Sequence, residues 1–278
     1  MDGVSFDVAP GEVLGVAGPN GAGKSTIIAM MLGFLAPTEG EVRIDGMSPR
    51  AYVERHGISY LPELMTLPLN WNAEEAIDRL AALAGVPAAQ RVAERERVIE
   101  AVGIGEHRKK RLKALSKGNL QRLGLAQSLL TDRRLVVFDE PTHGLDPVWT
   151  TRFRDIVGGL RRADRTMVIA SHNLDELERL CDRVAIIDRG RIQGIVAVRD
   201  AVGASTARRW RIRALVGMQA VAAQFPDGVV TGDAIDCTMD LAALNKGLAA
   251  AIAQGALVTA IAPAESSLEE AFRSAVAR

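Results

Sequence analysis

Residues 4–8 (Val-Ser-Phe-Asp-Val) alternate apolar and polar positions, the mark of a half-buried strand. Residues 12–17 predict a second strand, 18–23 a glycine-rich turn, and 24–35 an apolar helix. Short strands are expected at 42–44 and 57–61. Between 73 and 102 the period becomes helical: Ile77, Leu80 and Ala84 fall on one face, and Val92, Ile99 and Val102 share another. Residues 119–130 predict a further helix, with Leu123 and Leu130 turned inward. The runs at 135–138, 166–170 and 184–187 are almost wholly apolar, as strands covered on both faces are. Strands alternating with helices predict an α/β fold around a parallel sheet, with the helical stretch at 64–130 as a subdomain on its edge.

The pattern changes near Gly203. A strand carrying Trp210 and Ile212 on one face leads to a helix ending about Phe225. Short strands follow near Val229 and at 235–239, then a helix at 241–254 and a strand at 256–261. That order, β-α-β-β-α-β, is the split β-α-β unit. The expected organisation is a first domain at 1–203 and a small α/β domain at 204–278. Residues 247–264 are uncharged, but Gln254-Gly255 interrupt them and Pro263 closes them. A helix, a stop and a short strand fit that stretch better than the about 20 apolar residues of a membrane span. Neither a direct span nor a secretory signal is expected.

Composition narrows the class. Hydrophobic residues at 48% and charged residues at 24% exclude a disordered chain. Lys+Arg and Asp+Glu both number 34, so bulk charge draws the chain to neither nucleic acid nor anionic lipid. Aromatic residues at 4% are too few for a base-stacking surface, and no nucleic acid partner is expected. Cys181 and Cys237 lie in apolar stretches and read as small core residues. The basic run at 107–113 reads as a solvated face, Met30-Met31 as core filler, and His143 as a loop residue without a role.

The chemistry begins at the first strand's end. Gly18, Pro19, Asn20, Gly21, Ala22, Gly23, Lys24 and Ser25, followed by Thr26, fit G-x-x-x-x-G-K-[ST] between a strand and a helix. The glycines let successive N–H groups point at phosphate oxygens, and the helix start adds about +0.5 elementary charge. Lys24 can reach the β- and γ-phosphates, and the Ser25 hydroxyl can ligate Mg²⁺. A second site closes the apolar run at 135–138. Asp139 at a buried strand end suits Mg²⁺, and Glu140 beside it suits a general base that polarises water.

The residues between and after these sites resemble one family. Leu115-Ser116-Lys117-Gly118-Asn119-Leu120-Gln121-Arg122 is similar to the signature L-S-G-G-Q-x-Q-R of ABC-type ATPases, and Ser116 lies 23 residues before Asp139, the family's spacing. Gly144-Leu145-Asp146 resembles that family's D-loop, and Ser171-His172 its switch histidine. The resemblance covers about residues 3–200 and implies ATP and Mg²⁺ as cofactors. It implies a dimer, or a pair of ATPase subunits, in which Ser116 and Gly118 of one chain meet the γ-phosphate held by the other, with Asp146 at the seam. Ser116 is a good N-cap, so the following helix presents a positive end. His172 stands before Asn173-Leu-Asp-Glu176, a capping-box pattern, at a strand-to-helix turn from which it can bond a γ-phosphate. Glu140, His172 and Lys24 are thus the candidate catalytic residues.

This chain departs from the family pattern at Lys117, Asn119 and Glu63, which stand where Gly, Gln and a lid-loop Gln are usual. Glu63 joins Ser25 and Asp139 as a candidate for Mg²⁺ or its water. These variants, and the segment Ser267-Leu-Glu-Glu-Ala-Phe272, resemble bacterial subunits that energise exporters through a separate six-helix membrane permease. That resemblance implies a peripheral place on the cytoplasmic face of the membrane, with Leu67 and Trp71 as candidates for the permease groove. Only 17 residues precede Gly18, and the family's upstream strand and adenine-stacking aromatic have no counterpart among them, so weaker nucleotide binding than in a longer form is expected. Phe6 is not assigned that stacking role. A soluble ABC-type ATPase of translation or DNA repair, and a non-catalytic regulator, are the alternatives. Translation types usually carry two ATPase units per chain, repair types need a longer insert, and the intact Lys24, Asp139, Glu140 and His172 oppose a regulator.

Overall fold

In the computed structural model, residues 1–198, 208–263 and 267–276 are described. The chain divides into two compact units, Met1–Val196 and Ala197–Arg278. The boundary expected at 203 lies outside the described residues.

In the first unit, β1 (Val13–Ala17), β2 (Ser59–Leu61), β3 (Leu135–Asp139), β4 (Thr166–Ser171), β5 (Arg183–Asp188) and β6 (Arg191–Ala197) form one sheet in the order β2-β3-β4-β1-β5-β6. The pairs from β2 through β5 are parallel. Every residue of β1 and β3 is buried, as a parallel sheet covered on both faces requires. The register aligns the strand ends: Ala17 sits opposite Ser171, and Asp139 opposite Ala170. The loops leaving β1, β3 and β4 therefore open on one edge, where α/β folds hold their ligands.

Helices surround this sheet. α1 (Lys24–Met31) and α2 (Pro49–His56) follow β1, and the insert contributes α3 (Ala73–Leu83), α4 (Arg91–Ala101) and α5 (Lys117–Ser128). α6 (Pro147–Leu160) and α7 (Leu174–Leu180) follow β3 and β4. Asn72 and Glu75 form a full capping box at α3. At α7 only half of one forms. Asn173 accepts the Glu176 N–H at 3.3 Å, but the Asn173 N–H goes to Ser171 Oγ and the Glu176 carboxylate to Arg154.

Three expectations fail. Residues 4–8 keep the alternation, with Val4 and Phe6 packed on the core, yet they join no ladder. Residues 42–44 likewise form no strand: Asp45 and Gly46, both with positive φ, fold Ile44 back onto Met47 in an isolated bridge. Val92 is 58% exposed, because it stands in the first turn of α4, ahead of the turns that bury Val98 and Ile99.

The second unit follows the expected order. β7 (Arg208–Val216), α8 (Met218–Gln224), β8 (Val229–Thr231), β9 (Ala234–Met239), α9 (Leu241–Ala253) and β10 (Leu257–Pro263) precede a last helix, α10 (Ser267–Val276). Its sheet runs β10-β7-β9-β8, antiparallel throughout. Ile212, Val221, Phe225, Ile235, Leu244 and Leu248 form its core, and Asp240 caps α9 through the Ala243 N–H at 2.7 Å. Both cysteines are buried and free.

Candidate functional site

The glycine-rich turn at 18–23, the candidate phosphate loop, meets the edge of the sheet as a helix start without a side-chain cap. Gly23 ahead of α1 has φ +114°, a backbone position that a side chain would strain. The first N–H groups of α1 have no acceptor within the helix, so an anion is stabilised there. Lys24, only 6% exposed, curls back over this loop. Its Nζ donates to the carbonyls of Gly18 at 2.8 Å and Pro19 at 3.4 Å, and stands 3.2 Å from Glu140 Oε1. That last approach is a charge contact rather than an aligned hydrogen bond.

Asp139 closes β3, buried, with Oδ1 lacking a hydrogen-bond partner. Burial pushes its carboxyl from an ordinary 3.8 to about 6, opposed by a hydrogen bond with Ser25 and reinforced by the charges of Glu140 and Glu63. A buried carboxylate with a free oxygen beside a hydroxyl is an oxygen donor set that suits a hard divalent cation. Ser25 and Asp139 thus fit Mg²⁺, which ordinarily completes its shell with phosphate oxygens and water. Among the described residues, no cluster of three His, Cys, Asp or Glu side chains could hold a metal unaided.

This burial makes a stability prediction. The Asp139 carboxyl is raised in the folded chain, so folding favours its proton and the chain loses stability as pH rises from about 4 toward 6. With chelator and no nucleotide, Asp139→Asn is expected to be more stable than the parent by about 1–3 kcal/mol above pH 6, and equal near pH 4. Denaturant midpoints across that range check it; a pH-independent difference would count against the buried charge.

Glu140 turns the chain out of β3 at φ +47°, a left-handed conformation that costs a non-glycine residue about 1–3 kcal/mol. The turn aims its carboxylate, 5% exposed, across the edge of the sheet. Glu140 Oε2 accepts from Ser171 Oγ at 3.3 Å and lies 2.8 Å from His172 Nδ1. The structure therefore gathers Lys24, Ser25, Asp139, Glu140 and His172 at one place. Ser171 belongs with them; its only sequence signal was its place before His172.

The other candidates stand apart. Ser116 caps α5, accepting the Asn119 N–H at 3.2 Å. Gly118 packs so closely on Gly144 that a Cβ there would meet the Gly144 carbonyl oxygen at 2.9 Å. Asp146 caps α6 through the Trp149 N–H at 2.9 Å. Lys117 Nζ lies 2.8 Å from His143 Nε2, and Glu63 Oε1 stands 3.6 Å from His143 Nδ1. His143, given no role by sequence, thus bridges the signature loop and the Glu63 loop. Among the described residues, no hydrogen bond or ion pair joins Ser116, Gly118 or Asp146 to the phosphate loop of the same chain.

Known proteins resemble this chain in sequence and fold. The family model for ABC transporters matches residues 1–143. The Nod factor export ATP-binding protein I of Paraburkholderia xenovorans is 36% identical, over 69% of this chain and 64% of its own. The methionine import ATP-binding protein MetN of Caulobacter vibrioides is 35% identical, over 76% of this chain and 66% of its own. The uncharacterized ABC transporter ATP-binding protein YdbJ of Bacillus subtilis is 33% identical, over 97% of this chain and 88% of its own. In the two leading matches the aligned part spans only 58% and 66% of the relative's length. A solved ATP-binding subunit of an ABC transporter has a TM-score of 0.64 at 28% identity, covering 71% of this chain and 83% of that one.

Proposed function

This chain belongs to the ABC transporter family, and from that premise we propose that it is the ATP-binding, ATP-hydrolysing subunit of a membrane exporter. It works as a dimer, or with a paired ATPase subunit, and drives a separately encoded permease. The observation that carries the ATPase reading is the meeting of Lys24, Asp139, Glu140 and His172 where β1, β3 and β4 end. The export reading rests on Lys117, Asn119, Glu63 and the segment 267–272, whose resemblance is to exporter subunits. Relatives include both import and export proteins.

The chain's own groups supply the chemistry in this scheme. Lys24 stands against Glu140. Phosphates entering the loop draw Lys24 away, because they carry more negative charge than one carboxylate. Glu140 then faces the γ-phosphate, held by His172 and Ser171. It takes a proton from water as the water oxygen bonds to the γ-phosphorus and the bridging P–O bond to ADP breaks. Ser25 and Asp139 would hold Mg²⁺, which would offset phosphate negative charge. In the dimer, the N-terminus of α5 at Ser116 faces the partner's γ-phosphate.

Leu67 and Trp71 lie on the loop between Glu63 and α3, with Leu64 and Leu69 exposed beside them. We assign this surface to the permease, which holds the chain at the cytoplasmic face of the membrane. Among the described residues, no helix is long and apolar enough to cross a membrane. The dimer is tested by light scattering of the Glu140→Gln chain with Mg²⁺-ATP. A nucleotide-dependent dimer is expected; a monomer at every concentration would overturn the sandwich.

A further inference from the structure

Two neighbouring side chains of α5 grip main chain in different parts of the first unit. Arg122 donates from Nε to the Val102 carbonyl at 2.8 Å and from Nη2 to the Gly103 carbonyl, and it lies over the Trp149 ring at 3.6 Å. It anchors α5 to the end of α4 and to α6. Gln121, 5% exposed, reaches the catalytic edge instead. Its Nε2 donates to the carbonyls of Pro141 at 3.1 Å and Glu140 at 3.3 Å.

Those carbonyls belong to the turn that needs holding. Glu140 sits at φ +47°, and a residue keeps such a conformation only where its surroundings over-determine it. Its N–H is tied to the Ala170 carbonyl at 2.9 Å, and its own carbonyl accepts the His143 N–H at 3.0 Å. Pro141 has no N–H to contribute. The buried amide of Gln121 supplies donors from outside the turn and pins both peptide units together. A rotation of those units would carry the Glu140 carboxylate off Ser171, His172 and Lys24.

We infer that Gln121 is a positioning residue for the hydrolytic step: by fixing the Glu140–Pro141 main chain, it aims the Glu140 carboxylate at the attacking water. The inference rests on Glu140 being the general base. Gln121 touches neither nucleotide nor water in this scheme, so its loss spares ATP binding.

The test uses the full chain carrying Gln121→Met, which keeps length and burial but removes the donors. The expected result is a kcat lowered about 10–100-fold with ATP KM and affinity within about 2-fold, and no further loss when added to Glu140→Gln. Single-turnover assays with labelled ATP reach the slow double variant. Hydrogen exchange of the peptide spanning 139–146 is expected to quicken. An unchanged kcat, a loss of affinity in step with kcat, or an equal loss in the Glu140→Gln background would overturn the inference. If Gln121→Met does not fold, Gln121→Asn withdraws the same amide by one methylene and carries the same expectations. Full turnover in Glu140→Gln alone would instead fail the general-base reading, leaving the exchange data to decide whether Gln121 fixes the turn.

Discussion

Replacing Glu140 by Gln is expected to lower ATP turnover by about 10²–10⁴ while nucleotide binding persists. The carboxylate can take a proton from water and stands against Ser171, His172 and Lys24. Gln keeps the length and the acceptor oxygen but cannot take the proton. The substitution also removes a buried negative charge 3.2 Å from Lys24 Nζ, the cation that phosphates must recruit. Affinity for ATP should therefore hold or rise. Steady-state hydrolysis with a fluorescent-nucleotide titration checks both halves; a variant with full turnover would remove Glu140 from its assigned role.

Lys24→Ala is expected to abolish useful nucleotide binding, raising Kd by at least about 10²-fold. Each charge-assisted hydrogen bond lost from the phosphates is worth about 1.5–3 kcal/mol. A second loss follows from the same contact. Lys24 and Glu140 are both buried, and removing one partner leaves the other charge without its counter-ion, commonly a cost of about 3–5 kcal/mol. The single variant should melt lower, and Lys24→Ala with Glu140→Gln should recover the melting temperature without recovering binding. Calorimetry beside thermal melts separates the two effects; unchanged affinity in Lys24→Ala would contradict the loop's role.

Much of this architecture is legible in the sequence. The buried strands at β1, β3, β4 and β5 are apolar runs of strand length, and the second unit's order follows its punctuation by Gly and Pro. Failure came where periodicity reports a face but not a partner. Val4, Phe6 and Ile44 turn inward, yet a ladder needs a second strand, which the pattern of one segment cannot supply. The site divides in the same way. Lys24, Asp139 and Glu140 are named by motifs of fixed local spacing, and His172 by its resemblance to the family's switch histidine. The left-handed turn at Glu140 is not, because Asp-Glu-Pro after an apolar run reads as a plain strand end. Nor is the reach of Gln121 to Glu140 and Pro141, since nothing local in a helix indicates which distant carbonyl its side chain will meet. Asp146 shows a further gap: one residue type serves equally as a helix cap or a group at a subunit seam, and within the single chain it caps α6.

The central claim, a transport-coupled ATPase, is tested most directly by affinity capture of the tagged Glu140→Gln chain from gently solubilised native membranes, with and without ATP, followed by mass spectrometry. The account predicts ATP-dependent recovery of an integral membrane permease in stoichiometric amount. Recovery only in the soluble fraction, alone or with ribosomes or DNA-repair proteins, would contradict it.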